Sequence, residues 1–215
     1  MATLVDRWRA AARGAGATAG DDDLNAAGHR LLARWSEPQR HYHDAGHLTA
    51  VLDVVDRHAG LAAHPDRVRV AAWMHDAVYD PRAPGDANER DSAELAAGLL
   101  AALGAPTGVA GDVARLVGLT TGHATGAGDP DGELLCDADL AVLAGDQDGY
   151  AAYAAAIRRE YGHVSDDAFR AGRARVLAAL LDLPSIYRLP PLRAAWEDAA
   201  RANLTRELAT LRAGA

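Results

Sequence analysis

The chain has 215 residues, 49% hydrophobic and 24% charged, with a formal net charge of −8. That size and balance suit one globular domain that buries about 70–75% of its unfolded surface. The acidic excess argues against duplex nucleic acid as a partner, because backbone binding needs Lys and Arg against phosphate.

One cysteine, Cys136, excludes an internal disulfide and agrees with a reducing compartment. Met1 to Arg13 is amphipathic, broken by Asp6, Arg7 and Arg9, and lacks the apolar stretch of a signal peptide. No apolar run approaches the roughly 20 residues of a membrane span. A soluble, cytoplasmic protein is expected.

The periodicity is helical nearly throughout, so the expected class is all-α. A helix is predicted from Leu24 to Trp35, closed by Pro38 before a His-rich turn. Leu48, Val51, Leu52 and Val55 then recur at i, i+3, i+4 and i+7 as one apolar stripe. After a break from Gly60 to Pro65, Val68, Ala71, Ala72, His75 and Val78 repeat the pattern. Asp80-Pro81 opens a turn-rich loop through Pro84-Gly85-Asp86. Helices follow from Ala87 to Leu103 and Val109 to Leu119, then a mobile Gly-rich surface loop from Gly122 to Gly132. Further helices are predicted over Asp139 to Leu143, Tyr150 to Tyr161, Asp167 to Leu181 and Leu192 to Leu211, the last set off by Pro184, Pro190 and Pro191. No alternating run of β-branched residues makes a strand. Neither a linker nor a repeat is visible, so residues 1–215 read as one helical domain with a core over 35–205.

The adjacent pair His75-Asp76 carries the chemistry. It follows Ala71-Ala72-Trp73-Met74, where an unpaired buried charge costs several kcal/mol. Consecutive helical residues point about 100° apart, so both side chains can converge on an ion. His47 lies one turn before Val51 on an apolar stripe. Alone, such a histidine is more often a hydrogen-bonded core residue than a ligand; the His-Asp pair raises the ligand reading. Asp137-Ala138-Asp139, opening another apolar run, adds a carboxylate. Two His and two Asp suit Mn, Fe, Co, Ni or Zn, and Mg less well, as one or two ions.

Other residues carry two readings each. His43 shares the face of His47 if the helix already includes it. His123, in a Gly-rich stretch, reads as a second-metal ligand, a substrate contact or a plain loop histidine. Asp80 is a turn residue before Pro81 or a catalytic acid, and Glu89 a helix-end carboxylate or a catalytic one. Arg40, Arg158 and Arg173 are candidates to clamp a phosphate, although Arg158-Arg159-Glu160 also reads as a salt-bridged exposed face. Trp35, Trp73, Tyr79 and Tyr187 are either a stacking wall or core.

His47, His75-Asp76 and Asp139, on separate helices, resemble the signature of the HD superfamily of metal-dependent phosphohydrolases. More narrowly, the chain is similar to a branch of small bacterial HD proteins. The resemblance rests on Arg40-His41-Tyr42-His43 with His47, and on Ala72-Trp73 with His75-Asp76-Ala77-Val78-Tyr79-Asp80. It continues in Asn88-Glu89 with Ser92-Ala93, Thr120-Thr121-Gly122-His123 and Asp137-Ala138-Asp139-Leu140. Arg158 with Glu160-Tyr161 and Ile186-Tyr187 complete it, so that it covers nearly the whole chain.

The resemblance implies an HD-type helical bundle with metal on His47, His75, Asp76 and Asp139. It implies hydrolysis of a small phosphomonoester, such as a nucleoside monophosphate, by metal-activated water. The family's last ligand follows an alanine, which selects Asp139 and leaves Asp137 as a helix N-cap or an acceptor behind the ligands. Related nucleotidases carry a Glu one turn after the HD histidine. Tyr79 stands there, so Asp80 or Glu89 takes the proton role beside Asp76, or the chemistry differs. Arg40, Tyr42, Tyr79 and Arg158 are the expected substrate contacts, and a homodimer is an expected assembly. HD-fold oxygenases with two irons imply an alternative that recruits His43 and His123. A non-catalytic ligand-binding module is a third, motivated by the missing Glu.

Overall fold

The computed structural model describes residues 2–126 and 128–213. Among them are ten α-helices, two short 3-10 turns and no strand, as expected for an all-α chain. In order these are α1 (Leu4–Gly14), α2 (Asp21–Arg34), α3 (Ala45–Arg57), α4 (Pro65–Met74) and α5 (Ala87–Ala102). Then come α6 (Thr107–Leu119), α7 (Pro130–Asp139), α8 (Gln147–Glu160), α9 (Asp166–Asp182) and α10 (Pro190–Ala213). The 3-10 turns are Ala59–Leu61 and Leu140–Ala144. No described helix is long and apolar enough to cross a membrane. The chain packs as two compact units, Met1–Ala138 and Asp139–Ala215.

In the first unit α4 is the central element. Val68 and the run Val70–Met74 are buried, and a stretch apolar on every side must be enclosed; Arg67 and Arg69 of the first turns pair with Asp112 and with Asp56 and Asp66. It packs against α1, α3, α5 and α6. Pro65 suits its first turn, where the missing N–H has no helical partner to lose. Trp8 of α1 meets Trp73 edge to face at 5.7 Å. Gly28 lets α2 approach α1, since a Cβ there would stand 2.8 Å from Trp8 Cδ1.

In the second unit Leu143, Tyr150, Leu177, Ile186, Tyr187, Ala200, Leu204 and Leu208 form the core. Arg173 pairs with Glu207 and donates to the Tyr153 hydroxyl. Arg201 donates to Leu181 O and Leu183 O, satisfying the carbonyls where α9 ends. Glu197 accepts from the backbone N–H groups of Ile186 and Tyr187, which pins the loop before α10.

Several boundaries differ from the sequence reading. The pattern through Val78 is not one helix: α4 stops at Met74 and His75 is its C-cap. The loop expected up to Gly132 ends earlier, because Pro130 starts α7 and the Asp129 carboxylate accepts the Gly132 N–H at 3.1 Å. Ala127 of that loop lies outside the described residues. Asp137-Ala138-Asp139 closes α7 rather than opening a helix, and the expected helix to Leu143 is the second 3-10 turn. His43 precedes α3, whose N-cap is Asp44.

Candidate metal centre

Each histidine is set by a helix end. Asp44 caps α3 by accepting from the N–H groups of Gly46 and His47 at 2.8 and 3.1 Å, which fixes His47 in the first turn. His75 closes α4, its N–H on Ala71 O at 2.9 Å. Its ring Nδ1 lies 2.8 Å from Ala72 O. A carbonyl only accepts, so Nδ1 carries the proton, and in the neutral ring Nε2 then presents a lone pair, the tautomer a metal ligand needs. The Trp35 ring packs on both imidazoles, at 6.2 Å from His47 and 5.4 Å from His75.

The two Nε2 atoms face each other at 3.2 Å, and Asp76 Oδ2 is 3.2 Å from His75 Nε2. Asp139 is the last residue of α7, a helix whose preceding residues belong to the first unit. Ligand atoms of His47, His75 and Asp139 all lie within 4.8 Å of one another. Donors held about 2.1 Å from one cation stand about 3.0–3.4 Å apart in octahedral or tetrahedral geometry, so the spacing fits a shared ion. Exposure is 7% at His47 and 1% at His75. Both His75 and Asp139 sit at the C-terminal ends of α-helices, where the helix dipole favours positive charge. A divalent ion fits this donor set.

Asp137 is fully buried in the last turn of α7, which rules out the N-cap role expected for it. Two positions on, Asp139 is the aspartate that joins the cluster.

Around the cluster, His43 Nε2 lies 4.0 Å from Asp76 Oδ2, and its ring is 4.4 Å from Tyr79 and 4.8 Å from Tyr42. Tyr42 leans over His47 at 4.7 Å. Glu89, in the first turn of α5, is half-buried. Burial pushes its carboxyl above the usual range; its own backbone N–H opposes this, the charges of Asp76 and Asp86 add to it, and His123 counters. Glu89 is therefore in electrostatic reach of both Asp76 and His123. His123 has φ 51°, the left-handed region, with its N–H on Leu119 O; non-glycine residues adopt that region rarely. Asp80, by contrast, is exposed and accepts the Arg82 N–H at 2.9 Å, the turn role.

The three arginines read as phosphate clamps are committed elsewhere. Arg40 is buried, donating to His43 O, Asp76 O and Ala77 O and pairing with Glu37. Arg158 donates to Tyr161 O, Val164 O and Asp166, closing the end of α8. Arg173 is held by Glu207 and Tyr153. Trp35 and Trp73 are core, and Tyr187 donates to Leu140 O inside the second unit. Gln39, Asn88 and Ser92 were given no role in the sequence reading but bond the backbone beside Asp76. Asn88 and Ser92 do stand in its motif blocks; Gln39 carries no sequence signal.

Comparison with protein-family models, curated proteins and solved structures finds no match to this chain.

Proposed function

We propose that this protein is a metal-dependent phosphohydrolase of HD type acting on a small phosphomonoester, a nucleoside monophosphate among the candidates. The observation that carries the reading is the convergence of His47, His75 and Asp139, whose ligand atoms lie within 4.8 Å of one another with the two Nε2 atoms 3.2 Å apart. Two buried imidazoles and a carboxylate converging on one point form a donor set that a divalent cation would satisfy. The resemblance of the His, His-Asp and Asp pattern to HD phosphohydrolases supplies the reaction class, by analogy.

His47, His75, Asp76 and Asp139 would hold the ion. A divalent cation there supplies Lewis acidity toward a phosphoryl oxygen and lowers the pKa of a water. Asp76, with a second carboxylate oxygen, orients the attacking water. Glu89 holds or releases the proton: its raised carboxyl sits closer to neutrality than an ordinary glutamate, which suits acid/base work. Tyr42 packs on His47 and Tyr79 on His43, and His123 lies in electrostatic reach of Glu89; these are the proposed substrate contacts. Asp80, tied into its turn, is the weaker proton carrier of the two.

The test is phosphate release from a panel of nucleotides and sugar phosphates, before and after chelation and metal return. Release that disappears with chelator and returns with metal supports the reading. No release from any phosphomonoester at any metal overturns it. The approach of His43 to Asp76 favours a second reading, two irons activating O2. Two irons per chain with substrate-dependent O2 uptake would establish that instead.

A further inference from the structure

After α4 ends, residues 76–80 adopt no helix or strand, yet side chains satisfy all five of their carbonyls. Arg40 Nη1 donates to Asp76 O at 2.9 Å and Nη2 to Ala77 O at 3.4 Å. Ser92 Oγ donates to Val78 O at 3.3 Å, Gln39 Nε2 to Tyr79 O at 3.3 Å and Asn88 Nδ2 to Asp80 O at 3.0 Å. Two N–H groups are held by the same residues: Val78 on Ser92 Oγ and Asp80 on Asn88 Oδ1, each at 3.0 Å.

Asn88 and Ser92 thus stand in for a neighbouring strand, each giving and taking one hydrogen bond. Asn88 and Ser92, four residues apart, lie one above the other on α5, about 6 Å along its axis, and meet Asp80 and Val78, two residues apart. One face of α5 therefore matches alternate residues of the segment.

Arg40 closes the other side. Nη1 also donates to His43 O at 2.8 Å, and Nε reaches Glu37 at 3.3 Å. Its guanidinium stacks between Trp35 and Tyr79, at 5.3 and 5.4 Å from their ring centres. Trp35 packs on His47 and His75, and Tyr79 on His43. One fully buried side chain so joins the backbones carrying His43 and Asp76 to the rings behind the histidines.

We propose that Gln39, Arg40, Asn88 and Ser92 form a frame that fixes the Asp76–Asp80 segment, and with it the Asp76 carboxylate, with Arg40 as the principal positioning residue. This replaces a phosphate-clamping role for Arg40. The consequence for ion binding rests on the metal reading above; the ordering of the segment does not. Lysine cannot substitute, having no planar fork to span three carbonyls.

The experiment uses the full chain, Arg40→Lys and Ser92→Ala, with Arg201→Lys as a control for a carbonyl-capping arginine in the second unit. Amide exchange is measured on metal-free protein, and zinc affinity by competition with a chromophoric chelator. In Arg40→Lys the amides of Ala77, Val78 and Asp80 should exchange about tenfold faster or more, as for loss of a buried hydrogen bond, with α10 unchanged. Zinc should bind about 10–100-fold more weakly, the usual effect of losing a group behind the ligands. Ser92→Ala should move both in the same direction, and serves if Arg40→Lys does not fold. Arg201→Lys should keep wild-type zinc affinity.

Folded variants with unchanged exchange at those amides would overturn the frame. Faster exchange with wild-type zinc affinity would overturn its role in positioning Asp76. A wild-type chain that binds no zinc or other divalent ion would sink the metal reading, and exchange would then decide the frame by itself.

Discussion

At the scale of single residues, the site is governed by which atoms are already engaged. His75 donates its Nδ1 proton to Ala72 O, so in the neutral ring its other nitrogen is the one left to accept. Replacing His75 by Ala or Asp76 by Ala should remove metal binding and turnover together, read by metal analysis beside phosphate release; a variant keeping both would contradict the ligand set. Glu89 supports a different test. Burial raises its folded-state pKa, so the folded chain favours the protonated carboxyl. Ionisation then costs stability as pH rises through the raised pKa, and the cost persists above it. Glu89→Gln should therefore stabilise metal-free protein at neutral pH, an advantage that vanishes below the unfolded pKa, as seen in urea titrations at several pH values. The same variant should lose about 10²–10⁴-fold in turnover if Glu89 moves the proton. A variant less stable at neutral pH, or fully active, would contradict this account.

At the scale of elements, helix ends and close approaches decide the fold. Gly28 sits where a Cβ would meet Trp8 at 2.8 Å, so Gly28→Ala should destabilise by about 1–3 kcal/mol, the usual range for overpacking. A change near zero in thermal unfolding would mean that α2 moves away without cost. Glu197 tests the loop before α10. Burial raises its pKa, but the N–H groups of Ile186 and Tyr187 and the Arg201 charge outweigh this and hold the carboxyl below its usual range. Its stabilisation is present above the unfolded pKa and is lost as pH falls through the folded one. Glu197→Ala should cost about 1–3 kcal/mol at neutral pH, with the gap to wild type closing in acid. A gap independent of pH would show that packing, not charge, is at work.

At the scale of the whole molecule, the 3.6-residue periodicity made the all-α class legible, because amphipathic stripes such as Leu48–Val55 need no tertiary information. The same periodicity misplaced the ends that matter. The apolar run through Val78 continues past α4 because residues 76–79 are buried or half-buried without being helical, held by side chains distant in sequence. His47 and His75 were legible from residue type and apolar context, and Asp139 from the family resemblance. Arg40 was not, since a buried arginine spent on backbone carbonyls looks in sequence like one awaiting phosphate. Residue type alone did not separate Asp137 from Asp139; the family resemblance selected Asp139, and it is Asp139 that joins the histidines.

The central claim is that an ion held by His47, His75, Asp76 and Asp139 is required for phosphoester hydrolysis. Its most direct test is metal content of protein purified without chelator or added metal, paired with phosphate release, for wild type and His75→Ala. The account predicts stoichiometric divalent metal with phosphate release in wild type, and neither in the variant. Phosphate release undiminished in a metal-free His75→Ala chain would contradict it.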